Sequence, residues 1–130
     1  MLSTRYVLAF STLGLAISAL AAPATSCPPK HWDGKDTASL DTASVFEGPP
    51  RNLVDLMPDL TTSEWDLTMG QERARARGDS MYLVCRYKRM MATVTLKIPD
   101  DAIVCKVEGD QKRTYASCSA PRKNGGTTSQ

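Results

Sequence analysis

Two neighbouring runs of residues constrain the fold of this chain more than any other feature. The first is SMYLVCRYK at positions 80–88, and the second is TVTLKI at positions 93–98. Both are rich in β-branched and aromatic residues, and the second alternates between polar and apolar positions. This pattern is typical of strands with one face on a core and the other in water. Because only residues 89–92 separate the runs, we predict an antiparallel hairpin at the centre of the fold.

Four further short runs have the composition of strands. They lie at positions 43–47, 64–69, 103–107 and 114–118. Several of the segments between them contain glycine, proline or aspartate, which are the residues that tight turns favour. Together with the hairpin, these runs predict a mainly β fold, a small antiparallel sheet of about six strands.

One short helix is predicted, at positions 49–57. Two prolines stand at its start, where a helix tolerates them, and Pro58 ends it. Its leucine and methionine side chains would gather on one side. By contrast, residues 70–79 are rich in charge and are interpreted as a connector.

The amino terminus has the features of an export signal. Arg5 supplies positive charge, residues 6–20 are almost all apolar or small, and Ala19-Leu20-Ala21 fits the small-residue rule of a signal-peptidase site. We place cleavage after Ala21, with Ala24 as the alternative. The apolar run is shorter than the about 20 residues that a membrane span needs. We therefore expect an exported protein, periplasmic or extracellular, with no transmembrane segment after cleavage.

The chain divides into four parts on this interpretation. Residues 1–21 form the signal peptide. Residues 22–42 are polar and poorly periodic, which predicts an extended arm and loop anchored by Trp32. Residues 43–118 hold all the predicted strands and form the β domain. Residues 119–130 lack large apolar side chains and are expected to be disordered.

Four cysteines, all beyond the predicted cleavage site, favour two disulfides over a metal site. Three pairings are possible. In a simple meander Cys85 and Cys105 would flank a third strand and lie about 9–10 Å apart, beyond the reach of a disulfide. Cys105 and Cys118 instead lie on successive strands, so we prefer Cys105–Cys118 with Cys27–Cys85. The strand order is itself an assumption, and the other pairings stay open.

The predicted core consists of the inward-facing apolar and cysteine side chains of these elements. Its members are Phe46, Leu53, Trp65, Leu67, Leu83, Cys85, Val94, Leu96, Ile103, Cys105 and Val107. A mature chain of this size buries about 60–70% of its unfolded surface. Such a core is small, and cross-links would stabilise it.

The order of short motifs along the chain resembles a known group of proteins. The most specific motifs are FEGPP at positions 46–50 and YLVCRY at positions 82–87. They are similar to a family of small, uncharacterised bacterial exported or periplasmic proteins with F-[DE]-G-P-P and Y-L-V-C-R-Y motifs. The resemblance covers residues 27–118 and implies an exported β domain, although a glycine-containing turn is expected where residues 88–91 stand. A weaker likeness, in the tyrosine–cysteine strand, is to periplasmic inhibitors of C-type lysozyme.

The sequence shows no pattern typical of a catalytic site. G-x-S-x-G and phosphate-binding G-x-x-x-x-G-K motifs are absent. The single histidine, His31, lies in the predicted arm. Asp100-Asp101 follows Pro99, which favours an exposed turn over the paired carboxylates of a glycosidase. We therefore predict a protein that is not an enzyme and binds no cofactor or metal.

Charge is distributed unevenly along the chain. Residues 30–72 contain nine acids and three bases, a net charge of −6, whereas residues 73–130 contain twelve bases and five acids, a net charge of +7. In an extended chain Arg73, Arg75 and Arg77 would project from one face and could bind an anionic partner. The alternative, which we favour, is a solvated loop or pairing with the acidic half. Nucleic acid is not expected as a partner of an exported protein.

These observations favour a non-catalytic exported envelope protein that binds a macromolecule or has a structural role. Its partner would be an envelope polymer or a secreted protein. The alternative is a periplasmic inhibitor of a lysozyme-like or other secreted hydrolase, which the acidic residues between Asp33 and Glu72 could face. The sequence leaves the partner and the oligomeric state open.

Overall fold

The computed structural model describes residues 25–121, which form two antiparallel β-sheets and one α-helix. In chain order the elements are β1 (Thr25–Ser26), β2 (Lys30–Trp32), β3 (Thr37–Glu47), a 3-10 helix (Pro50–Asn52), β4 (Asp55–Leu56), β5 (Glu64–Asp66), α1 (Thr68–Ala76), β6 (Met81–Tyr87), β7 (Thr93–Ile98), β8 (Val104–Gly109) and β9 (Thr114–Ser119). The prediction of a mainly β, disulfide-stabilised fold is confirmed.

The larger sheet has the order β2-β3-β6-β7, with β4 also paired to β3, and the smaller has the order β1-β9-β8-β5. The core takes side chains from both sheets, such as Val45 and Leu83 from the larger and Trp65 from the smaller. On β3 and β6, alternate residues point into this core, as the two-residue repeat of a strand requires. Val45 lies directly opposite Leu83, and both are fully buried.

The predicted central hairpin is present as β6 and β7. The two strands pair from Met81 opposite Ile98 to Arg86 opposite Thr93. The turn between them contains no glycine, and Arg89 adopts the left-handed conformation there with φ of 56°. The strand predictions at 103–107 and 114–118 agree with β8 and β9 to within two residues.

Strand β3 is longer than the sequence suggested. It begins at Thr37, so residues 37–42 belong to a strand, although they were expected in a loop, and β2 pairs with it inside the predicted arm. A register shift between Leu40 and Thr42 breaks the alternation, which explains why the pattern pointed only to residues 43–47. The prediction that Trp32 anchors this region is wrong, because its side chain is exposed.

The predicted helix at 49–57 is also wrong. Only the 3-10 helix Pro50–Asn52 forms, and it ends at Leu53, whose φ is 57°. The chain then turns back onto β3, where the backbone N–H of Glu47 donates to the carbonyl of Val54 at 2.9 Å. Pairing with a strand edge therefore prevails over the helical pattern of the apolar residues.

The α-helix lies where a connector was predicted. The expected strand at 64–69 is limited to β5, and α1 begins at Thr68, whose backbone N–H donates to the side chain of Asp66 at 2.9 Å. The helix buries only small or polar residues, namely Gly70, Gln71 and Ala74. Because it lacks a stripe of large apolar side chains, its sequence carries a weak helical signal.

Both preferred disulfides are confirmed. Cys27 is bonded to Cys85 with a Cα–Cα distance of 5.7 Å, and Cys105 to Cys118 with a distance of 4.0 Å. Cys105 and Cys118 lie directly opposite each other on β8 and β9, as expected. The premise of a single meander is wrong, however, because Cys85 and Cys105 belong to different sheets.

Most of the predicted core is buried, with two exceptions. Leu53 and Ile103 are exposed, so their assignment to the core is wrong. Val94, Leu96 and Val107 are partly buried and pack against the core. The remaining six predicted members are buried: Phe46, Trp65, Leu67, Leu83, Cys85 and Cys105.

The predicted signal peptide, residues 1–21, lies outside the described residues, and so do residues 122–130 of the predicted tail. Ser119, placed in that tail, is the last residue of β9. Among residues 25–121, no helix has both the length and the apolar character needed to cross a membrane.

Candidate functional site

Arg73 and Arg77 hold a buried carboxylate. They are four residues apart, so they lie on the same side of α1 and its carboxyl end. Both reach Glu47, whose side chain is only 4% exposed: Arg73 approaches Oε2 at 2.9 Å and Arg77 approaches Oε1 at 3.1 Å. The hydrogen bond from Arg73 is the main reason why the pKa of Glu47 is lowered, although burial opposes it. We call Glu47, Arg73 and Arg77 the arginine clasp.

Arg75 does not join the clasp. Its guanidinium donates instead to the carbonyl oxygen of Asp100 at 3.4 Å. The assumption of an extended chain at 73–77 is therefore wrong, and the three arginines do not form a single cationic face. The favoured alternative, pairing with the acidic half of the chain, describes Arg73 and Arg77. Binding of an external anion stays a prediction that these contacts do not test.

A second group of residues lies between Glu47 and Arg73 in the sequence. Its large apolar side chains are exposed to solvent. Large apolar side chains are exposed at Leu53, Met57, Leu60 and Met69, with Leu53 80% and Leu60 85% exposed. Five acids accompany them, and residues 52–72 contain no lysine or arginine. We call this region the 53–72 surface; its charged members are Asp55, Asp59, Glu64, Asp66 and Glu72.

The segments that carry the 53–72 surface meet around Leu56. Leu56 pairs with Val45 of β3, and its carbonyl accepts a hydrogen bond from the indole N–H of Trp65 at 2.9 Å. The first turn of α1 also lies here, because a Cβ added to Gly70 would stand 3.4 Å from the Leu56 side chain. The exposed residues are therefore held on a backbone that is fixed to the core.

Leu60 stands on a turn organised by Asp59. The Asp59 carboxylate accepts hydrogen bonds from the backbone N–H groups of Thr61 at 2.7 Å and Thr62 at 3.2 Å. The N–H of Ser63 donates to the Asp59 carbonyl at 2.8 Å, and Ser63 has a positive φ of 55°. These bonds define the turn without burying Leu60.

A cleft of about 230 Å³ borders the same region. It is lined by residues of β3, β4 and the adjoining segments, among them Thr42, Ser44, Asp55, Met57 and Trp65. Its walls combine apolar surface with hydroxyl and carboxylate oxygens. The cleft gives the 53–72 surface a concave edge.

Another exposed apolar region lies near the turn between β6 and β7. Met91 is fully exposed, and Trp32 at the end of β2 is largely exposed. A shallow depression of about 500 Å³ near them is lined by Asp33, Asp36, Lys88, Arg89 and others. Charges of both signs thus surround this region, which we call the hairpin tip.

His31 and the two consecutive aspartates occupy ordinary structural positions. The His31 ring lies 5.2 Å from the ring of Tyr87, whose hydroxyl donates to the carbonyl of Pro28 at 2.8 Å. Burial raises the pKa of Tyr87. Asp100 and Asp101 are exposed in a turn. Within residues 25–121, no group of three or more potential His, Cys, Asp or Glu ligands is placed to hold a metal ion.

Sequence comparison identifies the chain at the level of a family. Residues 34–123, more than two thirds of the chain, match the family described as Type VI secretion system Tli immunity protein. The chain belongs to this family. Comparison of this chain with curated proteins and with solved structures found no match.

Membership of an immunity family favours the inhibitor that sequence analysis placed second over an envelope protein of unspecified role. The two disulfides also fit an oxidising compartment. The acidic residues between Asp33 and Glu72 were predicted as a possible contact, but the exposed apolar residues among them were missed, because Leu53 was assigned to the core and residues 49–57 to a helix.

Proposed function

We propose that this protein is an immunity protein that binds and neutralises a toxic protein effector of a type VI secretion system. The observation that carries the proposal is the match of residues 34–123 to the Tli immunity family. Exposed apolar side chains on a cross-linked β scaffold support it, since such side chains are suited to forming an interface with another protein.

Neutralisation requires binding and no chemical step. A protein that covers the effector's active site, or blocks a movement that the effector needs, acts stoichiometrically. Rigid scaffolds suit this task, because little order has to be imposed when the complex forms. The chain's disulfides hold its amino-terminal arm to β6 and join β8 to β9.

We place the protein in the periplasm and the effector among secreted hydrolases that attack the cell envelope. The expected export signal and the two disulfides support the location. The likeness of the tyrosine–cysteine strand to periplasmic lysozyme inhibitors supports the effector class. An enzyme assay of the effector with and without the purified protein tests this class directly.

A neutralisation experiment tests the proposal. Each type VI effector encoded by the producing genome is expressed in exported form in a sensitive bacterial host, with or without the full chain. One effector is expected to lose its toxicity when the full chain is present, and to form a complex with it. The matched control lacks residues 2–21 and should give no protection from a periplasmic effector. Toxicity of every effector in the presence of the full chain would refute the proposal.

A further inference from the structure

We propose that the effector docks on the 53–72 surface, and that it does so with a protein face that is apolar at its centre and basic at its rim. The inference rests on the proposed function and adds which face of this protein is used and what chemistry the partner presents. Leu53, Met57 and Leu60 are the central contacts. The acids around them set the charge of the partner.

Leu53 is the first observation behind this choice. Its φ of 57° lies in the left-handed region, where a residue with a Cβ is disfavoured and glycine is not. Its side chain is 80% exposed, so it gains little from packing within the chain. A large apolar residue in this position does not help the fold, and contact with a partner explains it.

The second observation is that the apolar side chains stand on a fixed backbone. The Asp59 turn positions Leu60, and pairing of β4 with β3 positions Met57 just beyond Leu56. Presentation on an ordered turn lowers the entropy lost on binding. The flexible thioether side chain of Met57 can also adapt to the shape of a partner.

The charge of the 53–72 surface distinguishes between a second copy of this chain, a lipid surface, the carboxyl-terminal residues and another protein as its partner. Residues 52–72 contain five acids and no base, and Lys106, which lies opposite Glu64, offsets only one of these charges. The net negative charge would repel a second copy of the same surface and an anionic lipid surface. Residues 122–130 of this chain contain Arg122 and Lys123 but no apolar side chain, so their composition does not match the apolar character of Leu53 and Leu60. A protein face with apolar contacts and surrounding lysines or arginines satisfies both features.

The hairpin tip is the competing surface, and it serves as the control. Trp32 and Met91 are exposed there, but Asp33 and Asp36 stand beside Lys88 and Arg89. A surface whose charges balance discriminates less between partners than one with a clear net negative charge.

The test measures the dissociation constant of the purified protein and the effector that it neutralises. Leu53→Gly, and Met57→Ser combined with Leu60→Ser, are expected to weaken binding by at least about tenfold, as central contacts do. Trp32→Ser and Met91→Ser are the matched controls and should change the constant by less than about twofold. Raising the salt concentration should weaken the wild-type complex, because the acids act through long-range attraction.

Thermal unfolding of each variant separates binding from folding. Leu53→Gly should unfold close to the wild-type midpoint, because glycine fits its backbone conformation. Normal affinity in the Leu53 and Met57/Leu60 variants, with loss of affinity at the hairpin tip, would refute the docking site and leave the immunity function standing. A dimer in light scattering that Leu53→Gly converts to a monomer would also overturn the inference, since a second copy would then cover the surface. If no effector binds the wild-type protein, both proposals fall.

Discussion

The arginine clasp and the 53–72 surface adjoin each other in the sequence but differ in the contacts that their side chains make. In the clasp, two guanidinium groups meet a buried carboxylate, so the charges are used within the molecule. On the 53–72 surface, by contrast, the side chains of Leu53, Met57 and Leu60 are exposed to water. Two of the three arginines in the most conspicuous charged motif therefore form contacts within the chain, whereas the docking site that we propose includes Leu53, which was predicted as core.

The largest effect is expected from removing both cations of the clasp. Arg73→Ala with Arg77→Ala removes both partners of the Glu47 carboxylate. Because the two guanidinium groups are half exposed, we expect a loss of about 2–3 kcal/mol. Urea denaturation measures the loss in free energy of unfolding. Adding Glu47→Gln to the double variant should recover part of the loss, and failure to do so would contradict the assignment of the clasp.

A smaller loss is expected from removing the anion. Glu47→Gln keeps the shape of the side chain and removes its charge, while the half-exposed arginines can return to water. We expect a loss of about 1–2 kcal/mol in the free energy of unfolding at neutral pH. Asp101→Asn, on an exposed turn, is the matched control. Equal stability of Glu47→Gln and wild type would show that the clasp contributes nothing.

Lowering the pH should remove the stabilisation that the charged Glu47 carboxylate provides. The pKa of Glu47 is lowered from its usual value of 4.5 in the folded protein. Its contribution to stability is therefore fully present above that value and is lost as the pH falls through the lower, folded-state pKa. The stability difference between wild type and Glu47→Gln should shrink in denaturation curves recorded at decreasing pH. If the stability difference between wild type and Glu47→Gln grew as the pH was lowered, the prediction would be wrong.

The smallest effect on stability is expected at the 53–72 surface. Met57→Ser with Leu60→Ser removes two exposed side chains and should change the free energy of unfolding by no more than about 0.5 kcal/mol. Urea denaturation beside the clasp variants makes the comparison direct. A loss as large as that of Glu47→Gln would mean that these residues pack within the chain.

The parts of the fold that the sequence predicted well are those with a clear local pattern of residue types. Strands β6 and β7 were predicted nearly to the residue, since β-branched and aromatic residues are frequent in both, polar and apolar side chains alternate along β7, and a short turn joins them. The disulfide pairing was right although its premise was partly wrong, because the direct pairing of β8 with β9 is a local feature. The division into two sheets depends on contacts between distant strands and leaves no local pattern.

The parts that sequence reasoning missed are those decided by tertiary contacts. Helix α1 buries Ala74 and Gly70 in place of large apolar residues, so the periodicity that marks a helix is weak. Leu53 looked like a core residue because its hydrophobicity says nothing about the left-handed backbone that turns it outward. The role of Arg73 and Arg77 depended on Glu47, which lies 26 residues before the first of them.

Strand β1 pairs with β9, the last strand of the described chain, so that Thr25 lies opposite Cys118. Contacts between residues so far apart in sequence slow folding, because the ends of a long segment must find each other. We expect the hairpins β6–β7 and β8–β9 to form first, which pulsed hydrogen exchange during refolding can check. On this account β1, the first strand among the described residues, is the last to pair, and the smaller sheet stays incomplete until β9 is in place.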